Sequence, residues 1–200
     1  MPNVQRSMPT TLRFATSADA PELADIYRPA VLGSAISFEI EPPDAATMAA
    51  RVSKTLPHYP WLVCVQHDRV QGYAYATAHR ERPAYLWSVE TSVYVRAESR
   101  HQGIGRTLYI QLMELLRRQG YVTAYAGISL PNPASERLHA AVGFESVGVF
   151  RGAGYKLGAW YDVSWWQKSL GMRPVPPQPP VSLVALQCPL SGQCSPWVAA

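Results

Sequence analysis

The sequence predicts an α+β, or mixed α/β, fold in a single domain that ends near residue 170. Three observations carry this. Three apolar, β-branched runs between residues 61 and 95 are joined by short connections, as in an antiparallel meander. From Gly105 the apolar residues switch to helical spacing, and the order of elements becomes β-α-α-β-β-β-α-β-α-β-β. The 200 residues are 48% hydrophobic and 16% charged, a globular composition far from the polarity of a disordered chain.

Residues 1–10 are polar, with two prolines, and are expected to be disordered. Leu12, Arg13, Phe14 and Ala15 read as a short strand. Asp19, with Glu22 three residues on, gives an N-cap signal for an apolar-periodic helix over 20–32. A second helix is expected from Asp44 to about Leu56, between Pro43 and Pro57. The runs 61–66, 70–78 and 84–95 read as strands, with His67, Asp68 and Arg69 making the first turn. Leu108, Leu112, Met113, Leu115 and Leu116 mark an amphipathic helix of about four turns that stops at Gly120, where a C-cap glycine belongs. Residues 122–128 alternate as a strand, 135–142 form a short helix ended by Gly143, and 144–150 and 161–168 read as the last strands.

Eighteen prolines are a surplus, and seven of them lie in 171–200, so the surplus belongs to an extension after the 11–170 domain. Within it, 172–180 favours extended or polyproline conformation and 181–186 suits a short packed segment. Trp61 to Val65 is far shorter than the roughly 18 apolar residues a membrane span needs. The first thirty residues hold no apolar stretch of signal-peptide length, so a cytosolic location is expected. Cys64, Cys188 and Cys194 form no CxxC pair and no disulfide framework. Cys64 sits in an apolar run and reads as a buried small hydrophobe; a Cys188–Cys194 bridge would be unusual in a reducing cytosol.

The formal charge of +4 is modest, but Arg96, Arg100, Arg106, Arg117 and Arg118 crowd between residues 96 and 118 against only Glu98 and Glu114. Such a cluster is either a solvated helix face or the border of an anion site. The segment from Val93 to Arg106 favours the second. A strand enters a loop with two glycines, and the long helix starts directly after it. Glycines let backbone approach a ligand, and the free N–H groups of the first helical turn point at whatever anion sits there. The Walker pattern GxxxxGK[ST] is absent, and Leu108 stands where a GxGxxG fingerprint needs its third glycine, so both nucleotide readings fail.

The spacing of Arg100, Gly103 and Gly105 is [Q/R]xxGxG, which resembles the pyrophosphate loop of the GNAT acetyltransferase superfamily. Downstream, the segment from Asn132 to Gly143-Phe144 resembles that superfamily's asparagine-led motif. Residues 34–42, 59–63, 89–95 and 153–163 are similar to the phosphinothricin N-acetyltransferase branch, which includes enzymes acting on methionine sulfoximine and methionine sulfone. The likeness covers about residues 11–170.

The resemblance implies a mostly antiparallel, twisted sheet flanked by helices and splayed where acetyl-CoA, the acetyl donor, binds without a metal. It implies cofactor contacts at Val93, Tyr94 and Val95, at the loop Arg100, His101, Gln102, Gly103, Ile104, Gly105 and Arg106, and at Asn132. At neutral pH an amino group with a pKa near 8 is mostly protonated, so acetyl transfer requires a base. Glu90 matches the family's catalytic glutamate. The Val95 N–H matches its donor to the thioester oxygen. His139 stands where the branch carries histidine; it could relay a proton, or hold Glu90 or pantetheine in place. Arg80 aligns with a basic substrate-contacting position, and an arginine fork suits a carboxylate or phosphinate. With Arg82, it would share the acceptor pocket with Phe38, Glu39, Glu41, Tyr85, Lys156 and Trp160, while Trp165 and Trp166 pack the core or a dimer interface.

A small amino-acid analogue acetylated by direct transfer in a ternary complex is therefore expected, in an enzyme that forms the branch's usual homodimer. Polyamines, aminoglycosides and protein N-termini are the competing acceptors, and Arg80 disfavours cationic ones. A non-catalytic acetyl-CoA-binding module is the remaining alternative. The basic residues coincide with the glycine loop, without zinc spacing or an aromatic-basic motif, which argues against nucleic acid.

Overall fold

The order of strands across one sheet positions the rest of the molecule. In a computed structural model, which describes residues 10–187, the strands are β1 (Thr11–Phe14), β2 (Trp61–Gln66), β3 (Arg69–Ala78), β4 (Ser88–Val95), β5 (Thr123–Ser129), β6 (Glu145–Lys156) and β7 (Ala159–Ser169). They lie in the order β1-β2-β3-β4-β5-β7-β6, and every pairing is antiparallel except that of β4 with β5. The helices are α1 (Ala20–Leu32), α2 (Ala45–Thr55), α3 (Ile104–Gln119), α4 (Pro133–Ala141) and α5 (Leu183–Gln187). The mixed α/β architecture and the order of the first eleven elements are those the sequence predicts.

Local chemistry sets most boundaries. The Asp44 carboxylate accepts from the Thr47 N–H at 2.7 Å and starts α2. Asp19 turns backward instead, accepting from the Thr16 N–H and from both terminal nitrogens of Arg13, so it braces the turn before α1. Gly120 ends α3 at φ +95, a left-handed C-cap.

Two segments differ from expectation. The strand expected over 84–95 begins only at Ser88, because Pro83–Tyr85 closes a 3-10 turn that keeps the preceding loop out of the sheet. The last two strands are longer than expected and form one hairpin across Leu157 (φ 49) and Gly158 (φ 80). Two successive positive-φ residues give the tight turn that matches strand twist. Gly148, Gly152 and Gly154 interrupt the alternation that would reveal this strand, and the register shifts between Phe150 and Gly154.

Alternating side chains feed two cores. Leu62, Cys64, Ala74, Ala76 and Val89 meet Leu108, Leu112 and Leu116 of α3 on one face. On the other, Trp61, Val63 and Tyr73 meet Leu23, Tyr27, Met48 and Val52 from α1 and α2. Cys64 is fully buried, and burial pushes its thiol up to about 11. Truncating Leu112, also fully buried, to Ala is expected to cost about 2–5 kcal/mol.

After Ser169 the chain runs without regular structure to α5, whose Leu183 is only 2% exposed. Residues 1–9 and the Cys188–Cys194 pair lie outside the described residues. Among the described residues no helix is long and apolar enough to cross a membrane, and no group of three or more His, Cys, Asp or Glu side chains could hold a metal.

Candidate functional site

The site begins where the parallel pair comes apart. β4 and β5 are in register only at Ser88, Val89 and Glu90, opposite Thr123, Ala124 and Tyr125. Hydrogen bonds of the antiparallel β3–β4 ladder alternate. His79 N–H donates to Ser88 O, and Arg96 N–H to Gln71 O, so the even-numbered residues of β4 bond β3. Val93 and Val95 therefore turn their N–H groups the other way, into the gap left by the splay. Their side chains lie toward α3: a Cβ at Gly105 would sit 3.6 Å from Val95, 3.9 Å from Val93 and 3.2 Å from Leu138.

The glycine loop sits on that same face. Gly103 adopts φ +81 as the N-cap of α3, and nothing lies within 4 Å of where its Cβ would be, so the surface there is open. Thr107 N–H is the first to bond within the helix, to Gly103 O. The N–H groups of Ile104, Gly105 and Arg106 precede it and point out of the helix end, with its positive dipole behind them. No acidic residue occupies the first turn. These donors fit a pyrophosphate. Arg100, His101, Gln102 and Arg106 are exposed around them, whereas the Ile104 side chain is buried in the α3 core.

The cationic cluster is smaller than the sequence suggests. Arg96 turns inward, donating to Val70 O at 2.8 Å and to Glu22 at 3.0 Å, and is 9% exposed. Arg117 pairs with Glu114 at the far end of α3, and Arg118 follows it there. Only Arg100 and Arg106 border the loop. Tyr94 also departs from expectation: its ring lies on the opposite face, 4.9 Å from Tyr27 and 5.4 Å from Tyr73.

Glu90 projects from that opposite face, paired across the ladder with Thr77. His79 Nδ1 lies 2.9 Å from its Oε1 and Arg80 Nη1 3.1 Å from the same atom. The His79 ring stacks on Tyr125 at 4.3 Å and meets the edge of Tyr85 at 5.6 Å. The Arg80 guanidinium stands 5.9 Å from the Trp165 ring. Beside this group opens a cleft of about 930 Å³, lined by His79, Arg80, Arg82 and Tyr85 on one side and Arg51, Lys54, His58 and Tyr59 on the other. Its charged lining is cationic but for Glu81, which suits an acceptor with an anionic or oxygen-rich tail.

The other expected pocket residues lie elsewhere or are already engaged. The Arg51 fork clasps Glu39 at 2.8 and 2.9 Å and holds its carboxyl below the usual range, while Tyr27 donates to it at 3.0 Å. Lys156 is buried and donates to the carbonyls of Val31 and Ser37, fastening the α1–α2 connection to β6. Phe38 lies over Gly154, where a Cβ would fall 2.5 Å from its ring. Trp160 is 69% exposed and packs on Tyr155 in the hairpin, and Glu41 is exposed.

His139, on α4, is 3% exposed among Tyr109, Phe144 and Trp166. Its Nδ1 lies 2.7 Å from the Ser135 carbonyl, which can only accept, so the proton sits on Nδ1. Nε2 then accepts from the Tyr109 hydroxyl at 3.0 Å. Burial lowers the imidazole pKa, leaving the ring neutral at pH 7. Asn132 caps α4, accepting from the Ser135 N–H at 3.1 Å, which leaves its amide NH₂ for another acceptor.

Sequence reasoning missed His79, Tyr109, Arg51 and, as a site residue, Trp165. Each reaches its place through strand pairing or helix packing across the chain, and no local motif marks them. The arrangement joins two faces: an anion cradle on the α3 side, a carboxylate and cationic cleft on the α1/α2 side, and unpaired backbone donors in the gap between.

A model of the acetyltransferase (GNAT) domain matches residues 12–165. The chain is 39% identical over 171 residues to a phosphinothricin N-acetyltransferase of Streptomyces viridochromogenes, covering 86% of this chain and 93% of that protein. It is 34% identical over 167 residues to an L-methionine sulfoximine/L-methionine sulfone acetyltransferase of Salmonella typhimurium, covering 83% and 98%. Among solved structures it is similar to a GNAT superfamily phosphinothricin acetyltransferase from Sinorhizobium meliloti in complex with AcCoA, at TM-score 0.80 and 38% identity over 86% of this chain and 94% of that one.

Proposed function

The chain belongs to the GNAT acetyltransferase family and is an acetyl-CoA-dependent N-acetyltransferase, and from that premise we propose that it acetylates the α-amino group of a small amino-acid analogue of the phosphinothricin, methionine sulfoximine or methionine sulfone type. The observation that carries the reading is the splay itself, with Glu90 on one face, the glycine loop on the other, and the N–H groups of Val93 and Val95 between them.

Bound acetyl-CoA supplies an acetyl thioester, whose transfer to the amine gives the amide and the CoA thiol. The α3 N-terminus, with Arg100 and Arg106, holds the pyrophosphate, and the Asn132 amide is free to hold the pantetheine arm. Glu90 takes the proton from the acceptor's ammonium, directly or through a water, at a point where His79 and Arg80 already fix its Oε1. The Val95 N–H stabilises negative charge developing on the thioester oxygen. Arg80 and Arg82 grip the acceptor's acidic groups. His139 is a positioning residue: its ring nitrogens are both engaged, so it ties α4 to α3 through Tyr109.

We take residues 11–170 as the catalytic unit and 171–200 as an extension of it. The same reading makes the enzyme a cytosolic homodimer. Supporting the dimer, β6 is a sheet edge that leaves Val147, Val149, Phe150, Tyr155 and Leu157 exposed, with Trp160 beside them on β7. An uncovered apolar edge of this length invites a second copy.

A thiol-release assay tests the substrate class. Acetyl-CoA-dependent turnover is expected with phosphinothricin, methionine sulfoximine or methionine sulfone, and little with spermidine or an alanine-initiated peptide. Turnover confined to the polyamine or the peptide would overturn the assignment, and tight acetyl-CoA binding with no turnover on any amine would favour a binding module.

A further inference from the structure

We infer that the segment 173–187 is a positioning strap that holds both walls of the acceptor cleft and so sets acceptor affinity. This rests on reading the 930 Å³ cleft as the acceptor site. The family match ends at Trp165, ahead of this segment.

One wall of the cleft is the β3–β4 connection, which carries Arg80, Arg82 and Tyr85 and ends at Trp87. The Trp87 carbonyl accepts from Val122 N–H at 2.9 Å, and its indole N–H donates to the Gln178 carbonyl at 2.7 Å. The last residue before β4 is thus fastened to β5 on one side and to the strap on the other.

The opposite wall contains His58 and Tyr59. Here the strap acts through Gln119, which is 1% exposed at the end of α3. Val181 N–H donates to Gln119 O at 2.8 Å, and Gln119 Nε2 donates back to Val181 O at 3.0 Å. The same Nε2 donates to His58 O at 2.8 Å, so one buried amide joins the strap to the second wall. Tyr59 stacks on Tyr121 at 5.7 Å, just beyond Gly120. Leu183, 2% exposed on α5, is the apolar anchor against α3 that keeps these polar contacts in register.

Without the strap, the Trp87 indole loses its exposed bond to Gln178 O, and Gln119, which is 1% exposed, loses both of its bonds to Val181, a costly loss for buried groups. The loop bearing Arg80 and Arg82 would then be ordered only as the acceptor binds. A loop ordered in advance spares that entropy. The consequence is specific: acceptor affinity falls while the donor site, at the opposite end of α3 from Gln119, is unaffected.

Three variants test this: Trp87→Phe, which keeps an aromatic ring, though a smaller one, and removes the indole donor, Leu183→Ala, and a chain ending at Met172. Steady-state constants for methionine sulfone and acetyl-CoA are measured with amide hydrogen exchange over 54–60 and 80–88. Acceptor KM is expected to rise about three- to tenfold in each variant, with acetyl-CoA KM within about twofold of the parent. Exchange should rise in both walls. Unchanged acceptor KM and exchange would overturn the inference, as would acceptor and acetyl-CoA KM rising together. If the parent turns over no amino-acid acceptor, the substrate reading fails, and exchange alone decides the strap: faster exchange confined to the two walls supports it, and none overturns it.

Discussion

Arg80 Nη1 lies 3.1 Å from Glu90 Oε1, so the residue proposed to grip the acceptor is paired with the one proposed to take its proton. An arginine that is half exposed and also stands over Trp165 can exchange this contact for a substrate carboxylate or phosphinate at little cost. Arg80→Ala is therefore expected to raise acceptor KM by about tenfold or more while leaving acetyl-CoA KM unchanged, because a charged hydrogen bond contributes about 1.5–3 kcal/mol. Steady-state kinetics with both substrates varied would check it. Equal effects on the two KM values would assign Arg80 to the fold.

Gly105 tests the donor side. A Cβ there would sit 3.2 Å from Leu138 and 3.6 Å from Val95, so α3 packs close against both. Gly105→Val adds an isopropyl group, three carbons, at this junction of α3, α4 and β4. Overpacking of this kind costs about 1–3 kcal/mol, so acetyl-CoA affinity should fall about tenfold while acceptor recognition persists in the residual activity. Isothermal titration with acetyl-CoA measures the loss.

His139 gives the fold a pH dependence whose sign is fixed by burial. Its folded pKa lies below the unfolded value of about 6.5. As the pH falls below that value, the unfolded chain takes up a proton that the folded chain refuses. The stability is therefore fully present above the unfolded pKa and is lost as the pH falls toward the folded one. His139→Phe removes the titration. Thermal melts should show a shallower acid decline for this variant than for the parent as the pH falls below about 6.5. Parallel declines would mean that other groups carry the acid sensitivity.

The exposed β6 edge predicts association. Val149→Asp and Trp160→Glu place charge on the apolar edge without touching a buried residue. Sedimentation equilibrium should find the parent dimeric and the double variant monomeric; a monomeric parent would remove the interface.

The features legible in sequence are those that local chemistry writes. The glycine loop and α3 are contiguous, and the helical spacing of Leu108, Leu112 and Leu116 needs no partner to be seen. Glu90 and Arg80 were reached through motif resemblance. What stayed hidden depends on distant pairing. Arg96 reads as a loop cation until Glu22 is found beside it, and Lys156 reads as a pocket residue until the carbonyls of Val31 and Ser37 surround its ammonium. Trp165 belongs at the site only because β7 lies against β5, which brings it near His79 and Arg80.

Glu90→Gln tests the central claim most directly, since it keeps the shape of the side chain and removes the base. Its turnover with methionine sulfone is to be measured beside acetyl-CoA affinity in the same preparation. Loss of general-base catalysis should lower kcat by about 10²–10⁴ with the acetyl-CoA Kd unchanged. A variant that turns over within about threefold of the parent, a difference of less than 1 kcal/mol, would contradict the assignment of Glu90 as the base.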